Sequence, residues 1–361
     1  MSPPRSPRPA VHLPQFWREQ GKVFWQGTAP FNFRTYYSVN AAPCFANVWT
    51  GETFMLIVAA NIRLMTLFVV GLPFVSFTGS AAFAGACDRT TASAADACKV
   101  NAEGSYLLGL GVCENFSDAE QKEKCINKAR NVRAAGRDDC DAQDRARANL
   151  CNALGQAPYD PVIRPSDFVP AITNRYFPLT PGTTFTYRGG DALVTVVVTR
   201  QTKKILGVTC VVVRDTKTIN GKIEEDTLDY FAQDRHGNVW YFGETTAEYK
   251  NGSPVSTSGS WIAGKDGAKP GIIMPASAKI GATHRQEFAL GEAEDAARIQ
   301  KRDASVSVPY GTFSNAIKTY DFTPLEPEVR ENKYYASGVG LVLSVDLVTG
   351  EREELISIET E

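Results

Sequence analysis

Six cysteines between residues 87 and 151 constrain this chain more than any other feature. Cys87, Cys98, Cys113, Cys125, Cys140 and Cys151 are separated by 11, 15, 12, 15 and 11 positions, a series that reads the same from either end. In two antiparallel helices, residues whose numbers share a constant sum lie at equal height. The outer, middle and inner pairs here all sum to 238. Six cysteines allow many connectivities, and the symmetry selects the nested set Cys87–Cys151, Cys98–Cys140 and Cys113–Cys125. The region contains no CxxC pair and no His, which argues against zinc and for bonds formed in an oxidising compartment.

Local signals agree with a helical hairpin. Thr91 to Leu110 is rich in Ala and Leu, and Gly109 and Gly111 are expected to end the first helix. Ser117 is the expected N-cap of the second, with Glu120 completing a capping box. That helix is expected to run to Leu154 and stop at Gly155. Mixed charges mark the hairpin as a solvated surface, either a stapled cap or a protein-binding arm.

Upstream lies an export signal. Residues 64–77, LMTLFVVGLPFVSF, form a short apolar run after Arg63, followed by small residues that end in Ala82-Phe83-Ala84. This is the order of a cleaved secretory signal, and the run is short for a membrane span. An uncleaved anchor is the alternative. Lipidation of Cys87 is a second one, although Ala84-Gly85-Ala86 lacks the expected Leu. Residues 1–54 read as a spurious or disordered extension, with the true start at Met55 or Met65. Six of the 38 basic and two of the 40 acidic residues precede residue 87, so a formal charge of -2 becomes -6 over the remaining 275 residues. Such a chain does not hold nucleic acid non-specifically.

The expected organisation is therefore an extension (1–54), a signal (55–86), the hairpin (87–155), a Pro-rich linker (156–168) and a β domain (169–361). From Phe168 onward the pattern is strand runs, among them ALVTVVVT, GVTCVVVRDT, NVWYFGETTAEY and GLVLSVDL, joined by turns such as Asn220-Gly221 and Asn251-Gly252. Short Asn-Gly connections imply hairpins and antiparallel pairing. The fold class is α+β: a disulfide-stapled helical hairpin followed by a large antiparallel β-meander forming a curved sheet, half-barrel or barrel. Cys210, among apolar neighbours, is expected to be a buried free thiol.

Candidate chemistry gathers around the 251–282 segment, read as one long loop that carries Trp261 and Asp266. With Trp240, Glu244 and His284 these form the candidate ligand-binding set. Acids cluster nearby, from Glu224 and Asp226 to Glu287 and Asp295. They could take Ca²⁺, but no EF-hand spacing is present, and charges on edge strands also block aggregation. The Asp234–Asn238 stretch reads as a hairpin turn. No cofactor is expected. His284 and Glu287 are an odd number apart, which places them on opposite faces of a regular strand. GxSxG is absent, which argues against a serine hydrolase. Asp229 and Glu244 remain a conceivable carboxylate pair.

Four stretches, YDPVIRPSDFVPAITNRYFPLTPGTTFTY, EEDTLDYFAQDRHGNVWYFGE, GSWIAGKDGAKPGIIMP and KYYASGVGLV, resemble a family of uncharacterised exported bacterial proteins. The resemblance carries no known activity. KYYASGVGLV is also similar to the end of envelope proteins whose curved sheet wraps apolar ligands. The expected function is non-catalytic binding of a small apolar ligand or an envelope protein partner, in the periplasm or outside the cell. A carboxylate-dependent hydrolase and a purely structural envelope protein are the alternatives. No nucleic-acid partner is expected, and contact with a membrane only through an uncleaved signal or a lipidated Cys87.

Overall fold

The computed structural model describes residues 85–361. The expected extension over 1–54, and the signal over 55–86 except its last two residues, lie outside the described residues. α1 (Ala86–Cys113) and α2 (Ala119–Leu154) form an antiparallel hairpin. The three nested disulfides are present, with Cα–Cα distances of 5.7, 5.7 and 5.5 Å from the outer bond to the inner. The Cys87 sulfur that a lipid thioether would use is thus engaged with Cys151.

Two sequence expectations are corrected at the helix ends. Gly109 and Gly111 do not stop α1, which continues to Cys113. Gly109 instead lets the helices approach closely: a Cβ there would sit 3.3 Å from that of Ala129, and one at Gly136 would sit 3.3 Å from that of Ala102. The N-cap of α2 is Asp118 and not Ser117, and its carboxylate accepts from the Gln121 N–H at 2.8 Å. Both residue types cap well. With α2 starting one residue later, Asp118 is the one placed opposite the open N–H groups.

Sixteen strands follow: β1 Phe168–Val169, β2 Thr183–Gly189, β3 Ala192–Ile205, β4 Val208–Ile219, β5 Lys222–Asp234, β6 Val239–Lys250, β7 Ser253–Ser256, β8 Trp261–Ile262, β9 Lys269–Met274, β10 Thr283–Arg285, β11 Glu287–Phe288, β12 Ala296–Val308, β13 Gly311–Phe322, β14 Arg330–Ala336, β15 Gly340–Asp346 and β16 Arg352–Thr360. Every pairing is antiparallel. Two meanders, β2 to β6 and β12 to β16, are joined where β16 pairs with β2. Asn220 and Gly221 turn β4 into β5 with φ of 51° and 75°, the left-handed pair that a two-residue hairpin needs.

The outer ends of the meanders meet at residues 283–288. Thr283 to Arg285 pair with β12, and Glu287 and Phe288 pair with β9, itself hydrogen-bonded to β6. One short segment thus bridges both edges, and thirteen strands form a nearly closed antiparallel barrel. The long loop expected over 251–282 is not one loop, because it carries β7, β8 and β9. Pro270 and Gly271 hide β9 from a pattern reading. Gly271 is required by the closure itself: a Cβ there would lie 2.3 Å from the Gln286 backbone.

Val198, Val213, Val239, Phe242, Met274, Ile299, Ile317, Val342 and Leu355 are fully buried in the β core, and Cys210 is buried and free as expected. The hairpin is fastened to the barrel by one ion pair. Arg147 of α2 grips Glu294, just before β12, through Nε at 2.9 Å and NH2 at 2.8 Å. Both side chains are buried, and the Gly291 N–H also donates to Glu294. Gln143, one turn earlier on α2, donates to the Leu325 carbonyl.

Removing one partner of a buried ion pair leaves the other charge uncompensated, which costs about 3–5 kcal/mol. Arg147→Ala is therefore expected to lower the unfolding free energy by about that amount in urea titration. The double change Arg147→Met with Glu294→Leu is expected to recover most of it. Equal losses in both proteins would show that the charge pair is not the fastening.

Candidate functional site

The barrel interior holds a partly open cavity of about 280 Å³. Its layers follow from strand alternation. Phe177, in the segment between β1 and β2, packs on Phe231 and Tyr335, with ring centroids 5.4 and 6.4 Å away. Phe177, Pro178 and Leu179 thus cover the end marked by Phe231 and Tyr335. Gln233 holds this cover by accepting from the N–H groups of Thr173 and Asn174.

Two residues back along the same strands, the lining positions are Asp229 and Lys333. On β4 the apolar Val213 stands opposite Asp229, and Asp215 lies two residues deeper. Lys333 is level with Ser344, and Ser344 with Glu353. The cavity therefore has an apolar mouth and a polar floor, with Asp215, Asp229, Glu287, Asp295, Glu353 and Lys333 all in its lining.

A β-bulge puts Glu287 there. The Gln286 and Glu287 N–H groups both donate to the Asp295 carbonyl, at 2.8 and 3.4 Å. Such a bulge shifts the alternation by one residue, and both side chains line the cavity. The opposite-face argument for His284 and Glu287 assumed a regular strand, which this bulge interrupts, and of the two only Glu287 lines the cavity.

Burial dominates the electrostatics of the floor. It raises Asp229 to about 7 and Glu244 to about 8, and lifts Asp215 and Glu287 well above the ordinary carboxylate range. Asp295, Asp321 and Glu353 are raised for the same reason. Like charges add to it, as between Asp229 and Glu244. The Tyr241 hydroxyl lies 2.5 Å from Asp229 Oδ1 and 3.1 Å from Glu244 Oε2. One hydroxyl carries one proton, so both contacts are hydrogen bonds only if one of the two carboxyls is itself protonated. The raised values supply that proton at neutral pH. Lys333 faces Asp321 at 3.7 Å and Glu331 at 3.4 Å, and these acids hold its charge despite burial.

The five candidate residues fare differently. Trp261 is buried, donates to Glu287 Oε2 at 2.9 Å and packs edge-on against Tyr241. Glu244 lies behind Tyr241, so both belong to the wall behind the floor and not to its surface. Trp240 points elsewhere: it donates to Asp234 and packs on Phe168. Asp266 is exposed in the turn before β9, with φ of 50°. His284 is half-buried outside the cavity lining, its Nε2 unpaired and its pKa pushed down to about 4 by burial.

Asp234 accepts from the His236 and Asn238 N–H groups, the Asn238 amide and Trp240, so the 234–238 stretch is a tied turn. Among the described residues, no group of three or more carboxylates, imidazoles or thiols is arranged to hold a metal ion. Asp226 pairs with the exposed Arg214 on the surface. Asp215, Lys333 and Glu353 were missed as site residues. Each lies near other charged residues, Arg214, Glu331, or Arg352 and Glu354, so the sequence does not separate them from solvent-facing charges.

The folded state holds the Asp229 and Glu244 protons up to about 7 and 8, whereas ordinary values are 3.8 and 4.5. It therefore binds more protons than the unfolded chain, and stability falls as pH rises through that range. His284 acts in the opposite sense, but only below its ordinary 6.5. Between pH 6.5 and 8 these two groups alone are expected to lower the unfolding free energy by about 2 kcal/mol, and the other raised acids act in the same sense. Asp229→Asn with Glu244→Gln is expected to make that slope shallower by their share in melts recorded across the window. A slope unchanged in the double variant would refute the assignment.

No family model matches this chain, and no curated protein does. Among solved structures, the chain is similar to a "putative lipoprotein" from Parabacteroides distasonis at 14% identity. The match covers 52% of this chain and 99% of that one, with a TM-score of 0.30, too loose a superposition to inform function.

Proposed function

We propose that this protein binds a small molecule inside the barrel and does not transform it. The observation that carries this reading is the partly open cavity of about 280 Å³ beside the Phe177–Pro178–Leu179 segment. Natural ligand sites are concave and largely apolar, with a few placed polar groups. The mouth and floor described above match that pattern. The three disulfides are those of an exported protein, and we place it in the periplasm or outside the cell. In this reading the hairpin is a stapled arm held beside the barrel by Arg147.

A second reading is favoured by a specific observation. Asp229 lines the cavity, shares the Tyr241 hydroxyl with Glu244 behind it, and keeps a proton to about 7, as the general acid of a hydrolase must. Loss of any detected hydrolysis in both Asp229→Asn and Glu244→Gln would support it.

Native mass spectrometry of protein purified from its own host, without refolding, tests the first reading. A mass excess that vanishes on denaturation is expected. Val196→Trp, which fills the cavity from its wall, is expected to keep the fold and to lose the excess. A bare polypeptide mass, or an excess indifferent to Val196→Trp, would count against interior binding.

A further inference from the structure

The charge of the cavity floor names the class of ligand. Five carboxyl groups line it: Asp215, Asp229, Glu287, Asp295 and Glu353. Lys333 is the single basic residue among the lining, and it is already shared with Asp321 and Glu331. Asp229 and Glu287 have protein donors in Tyr241 and Trp261. Asp215 has none. Asp215 is half-buried on the cavity wall, burial pushes its pKa well up, and no hydrogen bond or ion pair reaches its carboxyl. Its remaining exposure is the part that faces the cavity. A carboxylate that faces a cavity without a protein donor is free to accept from a ligand that brings one.

What satisfies such a floor is a donor-only cation. An ammonium carries three N–H donors and no acceptor, and its hydrogen bonds to carboxylates are charge-assisted and strong. Above the floor the lining becomes Phe231, Phe185, Val196, Leu341 and the Phe177–Leu179 cover, which accepts hydrocarbon. A fatty acid presents the wrong charge to the floor, and a plain hydrocarbon leaves it unsatisfied.

From this layering we infer that the cavity takes a primary amine with an apolar body, its ammonium seated among Asp215, Asp229 and Glu353 and its hydrocarbon toward Phe177. The inference rests on the interior-binding reading above and adds the sign of the ligand's charge. The raised carboxyl values agree with it, since a floor without a cation is one on which protons stand in for it.

Titration calorimetry at pH 7.5, on the purified protein with its disulfides intact, uses n-octylamine, 1-octanol and octanoate as probes of one length and three charges. Octylamine is expected to bind at least about tenfold more tightly than either of the others. Asp215→Asn is expected to fold, because it removes a charge that no protein group pairs, and to weaken octylamine about tenfold or more without weakening octanol. Should Asp215→Asn fail to fold in thermal melts, Glu353→Gln carries the same expectation. Octanol or octanoate binding as tightly as octylamine overturns the amine assignment and leaves interior binding standing. Octylamine affinity unchanged in the folded variants overturns it too. Binding of none of the probes overturns it as well; interior binding itself then falls only if native mass spectrometry also finds the bare polypeptide.

Discussion

The closure of the barrel at residues 283–288 is the constraint on which the interior depends. Two antiparallel meanders share one junction, β16 against β2, and without a second they would form an open curved sheet. The second is made by a segment that pairs first with β12 and then, past Gln286, with β9. The change of partner needs a bulge, in which two N–H groups share the Asp295 carbonyl, and it needs no side chain at Gly271. Closure removes sheet edges, which exposed strands must otherwise protect. It also turns one face of the sheet inward, and part of that face lines the cavity.

That enclosure is what makes the acids unusual. Asp215, Asp229, Glu287, Asp295 and Glu353 come from β4, β5, β11, the turn before β12, and β16, and they meet only because the ring closes. On an open sheet they would be solvated carboxylates of ordinary acidity. Inside, desolvation favours the neutral form and pushes them upward. Tyr241 donates to Asp229 and Trp261 to Glu287, and Lys333 offsets part of the charge of Asp295 and Glu353. The set is a polar layer only partly satisfied by the protein, which distinguishes it from the well-paired junction of Arg147 and Glu294. There the buried charge is fully met and the role is architectural.

Much of the fold was legible. The cysteine spacing gives the hairpin and its pairing because disulfide geometry demands equal height across two helices. The strand runs and Asn-Gly turns give the antiparallel order because turn chemistry is local. The helix ends were read less well, since Gly109 serves interhelical contact and not termination. β9 was missed because Pro270 and Gly271 deny the strand pattern that its pairing partners impose. Of the site, Glu244 and Trp261 were placed near it and Trp240, Asp266 and His284 were not. A residue's face depends on strand parity, and the bulges in this barrel shift parity at positions that carry no sequence mark.

By itself the sequence determined what depends on short-range geometry: two stapled helices, a run of hairpins, and the oxidising route that the disulfides require. Tertiary structure decided what depends on closure: which side of each strand is interior, which carboxylates share a cavity, and where the helical arm is pinned. The physical reason is that hairpins and disulfide registers are set by residues close in the chain or matched in height. The acidity and company of Asp215 or Asp229 are set instead by the whole ring, whose last link is residues 283–288.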